Sequence, residues 1–207
     1  MQIPKDKIKN QILISARREF EEKGYADASI REIAWDANVS KSNIYNYFEN
    51  KNILFTSVLE DTIKKIDNGL DLMEKGFKTK SQNNYNAEAQ EDIMEKFMVF
   101  VFLYIRELKI LLFKSAGSSL EKYKTQIIKK LAGILRLWFS NEAPEKELPN
   151  FFFKSIAGFY ITTIEEIIAG DLTAKEAAGF APPFQQFVYG GWKNIIQEEK
   201  NNDKKTS

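Results

Sequence analysis

The chain has 207 residues, 43% hydrophobic and 13% aromatic, enough to bury one compact core or a small head and a larger body. It contains neither cysteine nor histidine, which removes disulfides, thiolate metal sites, the usual general base and the commonest metal ligand together. With 30 basic and 29 acidic side chains the formal charge is only +1, so a polyanion would have to be drawn to a local patch.

The first predicted element is a helix in which Ile8, Ile12, Ala16 and Phe20 form an apolar stripe and Gly24 is the stop. Ser29 followed by Glu32 has the spacing of a capping box, which predicts a helix from about Ile30 with Ile30, Ile33, Ala34 and Ala37 on its inner face. Asn38 suits the left-handed backbone that ends a helix, and Val39 is expected to plug the turn into the core. Ser40 then caps a second short helix on which Ile44 and Phe48 face inward. Lys41, Ser42, Asn43, Tyr45, Asn46 and Tyr47 are left largely outward. Two short helices joined by a tight turn, the second carrying polar and aromatic side chains, is the layout of a helix-turn-helix. Trp35 falls off the apolar stripe and is expected to be partly exposed, packing on the longer helix that starts at Lys51 in preference to touching DNA backbone.

Residues 51 to about 77 read as a longer helix with Leu54, Val58, Ile63, Ile66 and Leu70 on its apolar side. The polar stretch 78–90 reads as a loop or a frayed end, and a body begins at about Ala87. The run 97–105 is continuously apolar but too short to span a bilayer, so a helix buried on most sides is expected. Ser118 and Glu121 suggest another capping box opening a helix through about Phe139, and Pro144 and Pro149 punctuate the next loop. Residues 151–169 are apolar nearly all round, as expected of a helix buried by its own core and by a second subunit. A last helix is expected from Pro183 to about Glu199. Its Gly190-Gly191 pair costs about 1 kcal/mol per glycine relative to alanine, which suggests close passage of another backbone.

The N-terminal quarter resembles the DNA-binding segment of TetR-type (tetracycline-repressor-like) regulators. The resemblance rests on Ile12-Leu13, Ala16, Phe20, Gly24-Tyr25, Ser29-Ile30-Arg31-Glu32-Ile33-Ala34, Val39-Ser40-Lys41, Tyr45-Asn46-Tyr47-Phe48 and Lys51. One departure is Asn38, where that family usually has glycine, and asparagine tolerates the same backbone. The implied fold is all-α, with a three-helix helix-turn-helix head over residues 1–54 and a larger helical ligand-binding and dimerisation body over 55–207.

The implied function is a dimeric, ligand-responsive regulator, a repressor in the first instance, bound to an inverted-repeat DNA operator. By position, Lys41, Ser42, Asn43 and Asn46 approach base edges. Tyr45, Tyr47 and Lys51 grip phosphate, Ser29 faces the DNA backbone and Arg31 a base. The first 55 residues carry nine basic against eight acidic side chains, so these contacts must act locally. A small apolar or aromatic effector is expected among Phe97, Phe100, Tyr104, Phe113, Tyr123, Trp138, Phe159 and Tyr160, with Arg106 or Glu165 as polar anchors. The homodimer interface is expected to draw on Phe152, Ile156, Ile167, Phe187, Gly190, Gly191 and Ile195.

No cofactor or metal is implied. Gly-rich phosphate loops are absent, and Glu165 and Glu166 are adjacent and so point apart on a helix, which disfavours an enzyme. No signal peptide, lipidation site or membrane anchor is visible, so the cytoplasm is the expected location. An activator, a ligand-independent regulator and a helical interaction protein without DNA readout are the alternatives.

Overall fold

The structure, a computed structural model, describes residues 5–79 and 98–197, and every regular element among them is a helix. These are α1 (Lys5–Asp27), α2 (Ile30–Asp36), α3 (Lys41–Tyr45), α4 (Lys51–Lys78), α5 (Ile105–Phe113), α6 (Tyr123–Glu142), α7 (Asn150–Ala169) and α8 (Ala174–Gln197), with a further helical stretch over 98–103. None of the described helices is long and apolar enough to cross a membrane. Two compact units result, one from the described residues of 1–70 and 104–128, the other from those of 71–103 and 129–207.

The first unit forms around the stripe of α1. Ile12, Ala16 and Phe20 are fully buried, with Ile33, Ile44, Leu54, Phe55 and Leu59 from the next three helices. Phe20 meets Phe55 edge-on at 4.9 Å between centroids, and Tyr25 meets Phe55 at 5.0 Å. Segment 104–128 adds Leu108, Ile110 and Leu111 to the buried set. Polar contacts also hold it: Arg17 forms an ion pair with Glu107, Nε 2.8 Å from Oε1 but without hydrogen-bond geometry, and Arg106 Nε donates to Glu21 Oε2 at 2.7 Å. Tyr104 and Tyr123 donate their hydroxyls to Asp61 and Asp67 on α4, each at 2.8 Å.

The second unit is built on aromatic rings. Trp138, Phe139, Ala143, Phe153 and Trp192 form a buried cluster, flanked by Phe152, Ile156, Val188 and Ile195. Trp192 lies within 5.0–6.4 Å, centroid to centroid, of Trp138, Phe139, Phe152 and Phe153. Lys146 Nζ donates to the Ile195 carbonyl at 2.8 Å, tying the 143–149 loop to α8.

Four sequence expectations change. The described part of the run 97–105 is helical, but it is buried along Met98 and Val101 only, while Val99 and Leu103, one turn apart, are exposed. The Ser118–Glu121 box closes a turn instead of opening a helix. Ser118 Oγ accepts from Leu120 N, Glu121 reaches back to Gly117 N where φ is +81°, and α6 starts only at Tyr123. α8 starts at Ala174, not at Pro183, because Thr173 and Glu176 form a capping box. Thr173 N donates to Glu176 Oε2 at 2.8 Å and Glu176 N to Thr173 Oγ1 at 3.3 Å. The helix then carries Pro182 and Pro183 in its interior. Finally, Trp35 is 81% exposed, so most of its ring is left unpacked among the described residues. The expected start of the body at Ala87 lies outside the described residues.

Candidate nucleic-acid interface

Local rules explain most of the head. Ser29 is the N-cap of α2, its Oγ accepting from Arg31 N at 3.3 Å, and Ser40 caps α3, its Oγ accepting from Asn43 N at 3.1 Å. Between them Asn38 adopts φ +53°, the left-handed backbone expected of it, and Val39 N donates to Ala34 O at 2.9 Å. The turn therefore fixes α3 to the end of α2. Ile44 and Phe48 are buried on one side of α3, which directs the opposite side outward.

That outward side holds Lys41, Ser42, Tyr45 and Asn46, all exposed, with Asn43 and Tyr47 half-buried at its edges. The Lys41 ammonium lies 6.0 Å from the Tyr45 ring centre, and Ser42 Oγ is 2.9 Å from Ser40 Oγ. α3 itself is only five residues long, so Asn46 is its C-cap, and Tyr47 and Phe48 belong to the turn that follows. Arg31 is exposed on α2 and Ser29 is half-buried at its start. Asn50, not singled out from sequence, caps α4 by accepting from Ile53 N at 2.9 Å.

Lys51 is the exception within the set. Its Nζ donates to the Ala26 carbonyl at 3.1 Å and lies 4.9 Å from the centre of the Tyr25 ring. Burial pulls its ammonium below the ordinary lysine value, against the opposing pull of Asp27 and Glu19. Part of its donor capacity is thus spent inside the head, on the corner between α1 and α2. Gly24 enters that corner at φ 77°, ψ 171°, and Tyr25 N donates to the Lys114 carbonyl at 2.8 Å.

With this geometry in place, residues 12–58 match the model of the family described as bacterial regulatory proteins, tetR family. That N-terminal segment is similar to the tetR family. The chain is 31% identical over 99 residues to the HTH-type transcriptional activator FasR of Mycolicibacterium smegmatis, a match that covers 48% of this chain and 42% of FasR. The chain thus spans less than half the length of that curated relative. The fold is similar to that of a TetR-like transcriptional regulator from Rhodococcus sp. RHA1, with a TM-score of 0.60, 17% identity, and 92% and 98% of the two chains covered. It is similar too to NalD of Pseudomonas aeruginosa, the secondary repressor of the MexAB-OprM multidrug efflux pump, with a TM-score of 0.61, 16% identity, and 87% and 95% covered.

The expected effector residues divide between the two units. Tyr104, Arg106, Phe113 and Tyr123 belong to the first unit, and Phe100, Trp138, Phe159, Tyr160 and Glu165 to the second. Arg106 is engaged by Glu21, and Tyr104 and Tyr123 by aspartates of α4. Trp138 is buried in the aromatic cluster. Tyr160 is hydrogen-bonded to Trp192, and burial raises its hydroxyl pKa. Phe159 stacks on Phe184 at 5.5 Å, and Phe113 is exposed. Phe97 lies outside the described residues. The described residues do outline a depression of about 210 Å³ on the head, between Ile14, Arg18 and Asp36. It is small beside the roughly 300–1,000 Å³ of typical ligand pockets.

Of the expected interface residues, Phe187 is 71% exposed, while Phe152, Ile156 and Ile195 are half-buried against the aromatic cluster. Ile167, only 3% exposed, is already covered by its own chain and has no area to offer a partner. Among the described residues a Cβ added at Gly190 or Gly191 would meet no atom within 4 Å, so no close backbone there explains either glycine.

Proposed function

We propose that the protein is a dimeric transcription regulator that reads an inverted-repeat DNA operator with α3 and is released by a small apolar or aromatic effector bound in its body. One observation carries the DNA-binding part: the row of exposed Lys41, Ser42, Tyr45 and Asn46 with half-buried Asn43, backed by buried Ile44 and Phe48 and set on α2 by the left-handed turn at Asn38. Side chains of this kind on a short buried-backed helix fit base edges in the major groove. Residues 1–54 are assigned to the DNA head and 55–207 to the effector and dimer body. The assigned work is binding, with no catalytic step, at the chromosome and hence in the cytoplasm.

Lys41, Ser42, Asn43 and Asn46 are assigned to bases. Tyr45, Tyr47 and the remaining donors of Lys51 are assigned to phosphate, and Ser29 and Arg31 to the start of α2 on the DNA. The dimer draws on the exposed side of α7 and α8, including Phe187, Gly190 and Gly191. FasR is named an activator and NalD a repressor, so the sign of regulation is a separate question for this chain.

Selection of bound sequences from a random duplex pool with the full chain tests the proposal. Enrichment of an inverted repeat with half-sites about 34–36 Å apart is the expected result. Failure to enrich any sequence, before and after unfolding and refolding to strip a bound effector, would overturn it. Asn43→Ala should then relax base preference at one operator position by about 1–3 kcal/mol. Unchanged preference would remove Asn43 from the readout.

A further inference from the structure

We propose that Glu19 is a positioning residue for the DNA-reading helices, acting through the backbone amide of Ser29, an assignment that rests on the DNA-binding reading above. Glu19 stands on α1 and is buried, at 9% exposure. Its Oε1 accepts from Ser29 N at 2.9 Å, and Lys23 Nζ lies 3.2 Å from the same oxygen. Lys23 supplies the countercharge that a buried carboxylate requires.

Ser29 is the N-cap of α2, so its amide precedes the helix and has no partner within it. In a capping box, Glu32 would reach back to that amide. Here Glu32 is exposed and the acceptor comes from α1, ten residues earlier. A tertiary bond has replaced a local one, and the start of α2 is tied to α1.

The consequence follows from length. α2 has seven residues and α3 five, and helices this short do not hold themselves in water. α3 takes its placement from α2 through the Asn38 turn and the Val39–Ala34 bond. A displacement at Ser29 is therefore carried to the exposed face of α3. The polar contacts of Glu19 go to Ser29 and Lys23, neither of them on α3, so Glu19 acts at one remove from DNA.

The test uses the full chain, an operator duplex from the selection above, and three variants, Glu19→Ala, Glu19→Gln and Glu32→Ala. Operator affinity is measured alongside hydrogen exchange at the Ser29 amide and thermal stability. Glu19→Ala should weaken operator binding about tenfold, the scale of one charge-assisted hydrogen bond, and speed exchange at Ser29. Glu19→Gln keeps an acceptor oxygen and should restore binding to within about threefold of the parent, since only the charge is lost. Glu32→Ala should change neither.

Ile12→Val, at a fully buried site on the same helix, serves as the stability control. It should bind operator like the parent at a temperature where every variant is folded. The proposal is overturned if Glu19→Ala binds no worse than Ile12→Val, or if Glu19→Gln loses as much as Glu19→Ala. A parent chain that enriches no sequence overturns the DNA-binding reading and this assignment together. An enriched operator bound equally well by Glu19→Ala overturns this assignment alone.

Discussion

Each unit has both ring packing and polar bonds inside it, but in different proportions. The first is jointed by directional bonds at many corners: Arg106 to Glu21, Ser29 to Glu19, Tyr25 to Lys114, Lys51 to Ala26, and two tyrosines to aspartates of α4. The second is gathered around five aromatic rings, four of them closely surrounding Trp192. Hydrogen bonds and ion pairs contribute little net energy but fix distance and angle, whereas ring packing contributes energy and tolerates repacking. On the proposed function, a head that sets a five-residue helix against base edges needs the first kind, and a body that accommodates an effector can be built from the second.

Replacing the central ring should have the largest effect. Trp192→Ala removes a buried indole from the middle of the cluster and should cost about 3–5 kcal/mol in denaturant unfolding, with loss of near-ultraviolet dichroism. A cost below about 1 kcal/mol would mean that the cluster does not carry the second unit, and the contrast between the units would fail.

A smaller cost is expected at the corner of the first unit, from geometry instead of area. Gly24 occupies a backbone region essentially confined to glycine, and an added Cβ would lie 3.4 Å from the Lys114 carbonyl oxygen. Gly24→Ala should destabilise by about 1–3 kcal/mol and raise hydrogen exchange at Tyr25 N, whose bond to Lys114 depends on the corner. Unchanged exchange at Tyr25 would show that the corner relaxes freely and is not a joint.

How much of this could be read in advance divides along the same line. Asn38, Ser40, Ile44 and Phe48 were legible because each obeys a rule spanning only a few residues. The Glu19–Ser29 bond was not, since the local partner Glu32 satisfies the same pattern and only the folded chain brings Glu19 closer. Lys51 matched a family position for phosphate, while its bond to Ala26 spans 25 residues and leaves no sequence signal. The start of α8 is set by the Thr173–Glu176 box, whereas Pro183, a residue common at helix starts, lies in its interior. Aromatic residues at helical spacing, such as Trp138 and Tyr123, look the same whether they fill a core or line a pocket. Trp35 shows the limit of the opposite inference, because a large ring off the stripe can stay mostly exposed.

Alkaline titration sharpens the comparison next. Burial raises the Tyr123 hydroxyl pKa above its ordinary value of 10.0, and the Asp67 carboxylate adds to the shift. The folded chain therefore keeps this proton at pH values where the unfolded chain loses it. Its contribution is fully present below about pH 10 and is lost progressively as the pH rises above that value. Tyr123→Phe should cost about 1.5 kcal/mol near neutrality and flatten the decline of stability above pH 10. If parent and variant decline in parallel, the Tyr123–Asp67 bond is not one of the joints of the first unit.

The smallest effects are expected at Gly190 and Gly191, and their sign is what matters. Among the described residues neither position is crowded, since an added Cβ at either would meet nothing within 4 Å. Alanine should therefore favour the helix by up to about 1 kcal/mol per site if α8 is judged as an isolated chain. If α8 lies against a partner's backbone, the same methyl groups stand in the interface and hold the two helices apart. Gly190→Ala with Gly191→Ala should then raise the midpoint of the dilute, monomeric protein while increasing the dimer dissociation constant, read by sedimentation across a concentration series. A gain in stability with no change in dissociation would place the interface elsewhere and leave the two glycines as a local weakness of α8. A loss of stability in the monomer would mean that helix propensity is not what these positions limit. Because the helix effect and the contact effect have opposite signs, one pair of methyl groups separates the helix from the surface it presents.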